Sequence, residues 1–134
     1  MPAGEIQVAI NSDQDIVSAR QKGRQMAAEL GFSTGDATLI ATAISELARN
    51  IVAYARKGEI TLKMLNGLNR QGISVIATDG GPGIPDIHQA LRDGFSTSGS
   101  LGLGLPGVRR LMDEFEITSQ PGRGTKVAVK KWRQ

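Results

Sequence analysis

The sequence predicts one α/β domain over residues 1–134, a two-layer α+β sandwich with helices on one face of an antiparallel or mixed, mostly antiparallel sheet. Three observations predict it. Stretches of alternating or continuously apolar strand pattern are interleaved with stretches of helical period, so strands and helices share one chain. Two of the strand-like stretches are separated only by a polar turn, which suits an antiparallel hairpin. The 134 residues are 40% apolar and 22% charged, ordinary for a globular protein, and no repeat, linker or low-complexity run divides them.

Taken in order, Glu5 to Ile10 alternates weakly and reads as a first strand. Asn11, Ser12 and Asp13 then offer helix caps. From Asp15, the residues Ile16, Ala19, Gly23, Met26, Ala27 and Leu30 recur at helical spacing, and Gly31 closes that helix. Ser33 or Thr34 caps a second, longer helix with Asp36 near its positive first turn, and Lys57-Gly58 ends it. Glu46 and Asn50 lie one turn apart on this helix, inside the otherwise apolar AISELARNIVAYA. Such a pair belongs either to a solvated stripe, which helix statistics favour, or to a polar site; Arg49 beside them reads as a surface residue or as a partner for a carboxylate or phosphate. Glu59 to Asn66 alternates with Ile60, Leu62 and Met64 on one face, Gly67 to Gly72 reads as a polar turn, and Ile73 to Thr78 suits a central strand. Pro85 and Asp86 begin a short helix through Leu91, and residues 94–101 (GFSTSGSL) read as a loop. A further helix follows Gly102 to Leu105, with Pro106 suited to its first turn and Val108, Leu111 and Met112 on its apolar side. Phe115 to Ser119 is a strand, Gln120 to Gly124 a turn, and Thr125 to Trp132 the last strand.

Composition narrows the function. One Trp, one Tyr and three Phe are too few for a base-stacking surface, and a net charge of +3 is a weak bias. Lys126, Lys130, Lys131 and Arg133 read as a solvated strand face, so no nucleic-acid partner is expected. The absence of cysteine excludes disulfides and thiolate metal sites, and a single histidine, His88, argues against a His-based zinc site or a Ser-His-Asp triad. No signal peptide or membrane-spanning run is read, so a cytoplasmic protein without membrane contact is expected.

Asp79 to Gly107 holds eight of the seventeen glycines. Within it, Gly102, Gly104 and Gly107 spell G-x-G-x-x-G, but a polar loop precedes them and a PGRG turn stands where a ribose-binding acid belongs, so the dinucleotide reading fails. No P-loop and no eukaryotic-type kinase signature occurs. What survives is glycine backbone at a helix N-terminus, a ready anion site.

Three features stand in order: Glu46-x-x-x-Asn50 on a helix, DGGPG (Asp79 to Gly83) after a strand, and GLGL (Gly102 to Leu105) before a helix. Together they resemble the N, G1 and G2 boxes of the GHKL (Bergerat-fold) ATPase/kinase superfamily. The runs SELARNI, DGFSTSG and GLPGVRRLMDEF further resemble the RsbT-like serine kinases, the switch kinases of the bacterial stressosome, from Asp15 to Trp132.

The resemblance implies ATP and Mg²⁺ as cofactors. Asp79 would accept the exocyclic amine of adenine, where guanine presents an oxygen. Gly81, Gly83 and Ile84 would lie against base and ribose, and Asn50 would offer a neutral oxygen to Mg²⁺. Gly102, Leu103, Gly104 and Leu105 would cradle the phosphates, residues 86–101 would form a lid, and Thr125 would support Asp79. Glu46 would be the catalytic general base. The function so implied is a protein-serine/threonine kinase acting on a STAS-domain partner in stress-response partner switching, with a PP2C-type phosphatase as second partner. An anti-sigma factor, or a nucleotide-gated binding module with little catalysis, is the alternative. A homodimer is compatible with the resemblance, because related anti-sigma kinases dimerise.

Overall fold

A computed structural model describes residues 4–83 and 104–134. The expected helix from Asp86, the lid, and the residues Ile84, His88, Gly102 and Leu103 lie outside the described residues. The described elements are β1 (Glu5–Ile10), α1 (Asp13–Glu29), α2 (Thr34–Tyr54), β2 (Gly58–Gly67), β3 (Arg70–Asp79), α3 (Gly104–Leu111), β4 (Glu114–Gln120) and β5 (Gly124–Trp132). The five strands form one sheet in the order β1-β2-β3-β5-β4, and each described pair is antiparallel rather than mixed.

The two helix starts expected from capping residues differ in how they are made. Ser33 caps α2 through its hydroxyl, which accepts from the Asp36 N–H at 3.1 Å. At α1, Ser12 makes no such bond; instead Asp15 reaches back and accepts from the Asn11 N–H at 2.8 Å, and the helix begins at Asp13. In α1 the buried residues are Ile16, Ala19, Gly23, Met26 and Ala27, a single stripe. In α2 burial is continuous from Ala43 through Ala48, because α1, α3 and the sheet all pack against it. Ile40, Ile44, Leu47 and Ile51 fill one core with Ile60, Leu62, Val75 and Val129 of the sheet. Each such side chain, fully buried, contributes about 1.5–3 kcal/mol.

The polar turn expected from Gly67 to Gly72 is shorter in the structure. Gly67 pairs with Arg70, so the hairpin turns on Leu68 and Asn69 alone, with Asn69 in the left-handed region at φ 81°. Trp132 explains why glycine stands at position 72: a Cβ there would lie 2.6 Å from the indole Cε3. The Arg70 guanidinium sits 4.2 Å from the ring centroid, and the indole Nε1 donates to Glu114 Oε2 at 2.7 Å. These contacts tie the hairpin to both β4 and β5.

The basic tail is not uniformly a solvated face. Lys131 is half-buried and its Nζ donates to the Leu111 carbonyl at 2.9 Å, satisfying the last turn of α3. Lys126, by contrast, is exposed.

Candidate functional site

Asp79 is the last residue of β3, where the sheet ends. It is flanked by Gly58 of β2 on one side and Thr125 of β5 on the other. Its Oδ1 accepts from the Gly81 N–H at 2.9 Å, an Asx-type turn that folds the glycine segment back and fixes the carboxylate. One oxygen, Oδ2, is left for a ligand donor. An open cleft of about 280 Å³ lies beside it, lined by residues including Thr78, Ser119, Arg123 and Thr125.

Two glycines hold this corner through their backbone. Gly83 has φ 80° and Gly124 φ 87°, and a Cβ would meet the Gln120 carbonyl in the first case and the Asp79 carbonyl in the second. The Thr125 hydroxyl lies 2.9 Å from Ser119 Oγ, so it is engaged by β4 while its backbone pairs with Asp79. Ser119 also donates to the Gly124 carbonyl at 3.2 Å. Neither Ser119 nor the role of Gly124 is visible in the sequence, where Ser119 is one more polar residue in an alternating strand.

The segment after β3 rests on the C-terminal end of α2. A Cβ at Gly81 would lie 2.6 Å from Ala55 Cβ, the C-cap of that helix. Helix α3, beginning at Gly104 with Leu105 buried behind it, packs on α2 as well. The described parts of all three motifs therefore meet on α2.

Glu46 is where the structure departs most from helix statistics. It is 3% exposed, so it does not belong to a solvated stripe. Arg49 Nη1 donates to Glu46 Oε1 at 2.9 Å, while Oε2 is buried with no hydrogen-bond partner. An unpaired buried acceptor of this kind costs about 1–3 kcal/mol, so its position calls for a reason other than stability. Asn50, one turn on, is half-buried. Among the described residues no group of three or more His, Asp or Glu could hold a metal by itself. The donor set suits an ion that takes one neutral protein oxygen and keeps phosphate and water ligands, as Mg²⁺ does.

The antiparallel sheet with α1 and α2 packed on it, and α3 on α2, is the fold of a known class of ATPase domain. Residues 35–134 match the histidine kinase-, DNA gyrase B-, and HSP90-like ATPase family, to which the chain belongs. The chain is 56% identical over 125 residues to the serine/threonine-protein kinase RsbT of Bacillus subtilis, covering 93% of this chain and 94% of that one. It is an enzyme of this RsbT-like kinase group. It is also 34% identical over 129 residues to the anti-sigma F factor of Thermoanaerobacter sp. (strain X514), covering 92% and 89%. The fold recurs within a structure comprising the RsbU and RsbW domains of a Mycobacterium tuberculosis protein, with a TM-score of 0.66 at 21% identity, over 99% of this chain and 34% of that one. It recurs again in the mycobacterial sensor histidine kinase MprB, with a TM-score of 0.56 at 18% identity, over 96% and 98%.

Proposed function

We propose that this chain is an ATP- and Mg²⁺-dependent protein-serine/threonine kinase whose substrate is a small STAS-domain partner, and which activates a PP2C-type phosphatase once released from that partner. The observation that carries the reading is the buried carboxylate of Glu46, with one oxygen free, one turn from Asn50. Asp79 would accept the adenine amine on Oδ2, and the glycines at Gly81, Gly83, Gly102 and Gly104 would admit the nucleotide. Leu103, Leu105 and Ile84 would line its path, with Thr125 beside Asp79. Mg²⁺, held by the Asn50 oxygen with the nucleotide's phosphates, would neutralise charge on the transferring group. Glu46 then receives the proton of the partner's hydroxyl as its oxygen attacks the γ-phosphorus. General-base assistance of this kind contributes about 10²- to 10⁴-fold. The reading places the enzyme in the cytoplasm, where ATP is supplied.

The test is transfer of labelled γ-phosphate from ATP to a STAS-domain protein. The wild-type chain is expected to transfer, whereas Glu46→Ala binds ATP normally and transfers at least about 100-fold more slowly. Loss of ATP binding in Glu46→Ala rejects the base assignment. The likeness to anti-sigma F factors supports a second reading, in which a sigma factor is the bound partner. A sigma-factor pull-down that succeeds where STAS phosphorylation fails favours that alternative.

A further inference from the structure

We propose that Arg49 is a positioning residue for the general base: its guanidinium holds Oε1 of Glu46, so that the buried Oε2 is the oxygen presented to the partner's hydroxyl. This rests on Glu46 being the base. The two residues form an i,i+3 pair on α2, with Nη1 to Oε1 at 2.9 Å and side-chain exposures of 35% for Arg49 and 5% for Glu46. Their accessibility is thus lopsided, with the cation near solvent and the carboxylate inside.

Stability does not account for such a pair. Ion pairs with a solvent-accessible member contribute little, and burying a carboxylate is costly unless both oxygens are satisfied. A guanidinium presents a fork that can engage both oxygens of a carboxylate. Here it engages one, and the other is left buried without a partner. The outcome is a carboxylate whose rotation is fixed by a charge-assisted bond on one side and whose remaining acceptor is unspent. In the transfer step the hydroxyl proton passes to Oε2 and the hydroxyl oxygen bonds the γ-phosphorus. The bond from that phosphorus to the β–γ bridging oxygen breaks, and ADP leaves. The carboxyl afterwards returns its proton to solvent. Arg49 stays charged and bound to Oε1 throughout, so it touches no reacting atom.

The experiment uses the full chain with Arg49→Gln and Arg49→Lys, each alone and combined with Glu46→Ala. Arg49→Met, which keeps the aliphatic stem, replaces Arg49→Gln if that variant does not fold. Affinity for a non-hydrolysable ATP analogue is measured by calorimetry, and phosphoryl transfer to a STAS-domain protein by steady-state and single-turnover kinetics. Arg49→Gln is expected to lower kcat about 10-fold or more while KM and analogue affinity stay within about 2-fold. Arg49→Lys should recover most of the rate, since an ammonium can still donate to Oε1. In the Glu46→Ala background, Arg49→Gln should cost nothing further. Weaker analogue affinity would make Arg49 a nucleotide ligand and overturn the proposal. An unchanged kcat, no recovery with lysine, or the same loss with Glu46 already removed would overturn it too. Full transfer by Glu46→Ala alone would instead reject the base itself, a separate failure.

Discussion

At the scale of the residue, the proposed recognition of adenine would depend on how Asp79 divides its two oxygens. Oδ1 is committed to the Gly81 N–H at 2.9 Å, which orients the carboxylate, and Oδ2 would be the acceptor for the adenine amine. An amide at this position can satisfy Gly81 with its oxygen only by turning its NH₂ toward the adenine amine, donor against donor. Asp79→Asn is therefore expected to lose one charge-assisted bond, about 1.5–3 kcal/mol, and to weaken ATP binding roughly 10- to 100-fold. Calorimetric titration with ATP checks this; an unchanged dissociation constant removes Asp79 from the adenine site. The same residue shows how local chemistry can be read from sequence. An acceptor-only side chain at the end of an apolar strand, followed at once by glycines, has few structural reasons to be there. Glu46 was harder, because a polar residue inside an apolar helix reads equally well as a gap in the apolar face.

That ambiguity is resolved at the scale of the element. Helix α2 is covered on several sides, with burial unbroken from Ala43 to Ala48, so its period no longer marks an inside and an outside. Sequence periodicity located the helix to within about a residue at its start but could not say which polar residue faced inward. A buried carboxylate with an unpaired oxygen is a local loss of stability that the proposed catalytic role would account for, and this gives a testable asymmetry. Glu46→Leu, similar in volume, replaces the orphan acceptor with apolar contacts and leaves Arg49 free to reach water. It is expected to raise unfolding stability by about 1 kcal/mol in urea denaturation, while abolishing phosphoryl transfer. A fall in stability of similar size would mean that the Glu46–Arg49 pair is structural. Short-range signals served the strands equally well, since β1 spans Glu5–Ile10 as alternation predicts. They failed at Gly72, whose reason is the Trp132 ring, sixty positions away in the chain.

At the scale of the whole molecule, the order β1-β2-β3-β5-β4 brings the start of β5 against the end of β3 and so completes the Asp79 corner. Strand order depends on contacts distant in sequence, so it was not legible in the sequence, whereas the helices and hairpin were legible from period alone. The proposed nucleotide site is correspondingly shared: Asp79 belongs to the sheet, Glu46 and Asn50 to α2, and Gly104 to α3. A ligand spanning such elements binds the folded chain and not the unfolded one, so its affinity appears as stability. ATP at 100 times its dissociation constant is expected to add about 2.7 kcal/mol, a rise in melting temperature of about 10 °C for a domain of this size. Differential scanning fluorimetry with and without ATP reads this directly. At the same ATP concentration Asp79→Asn should lose about half of the rise or more, because its affinity is reduced, and Glu46→Leu should keep it, because its defect is in transfer. A rise that survives in Asp79→Asn and vanishes in Glu46→Leu would invert the division of labour, making α2 the holder of the nucleotide and the end of β3 a bystander.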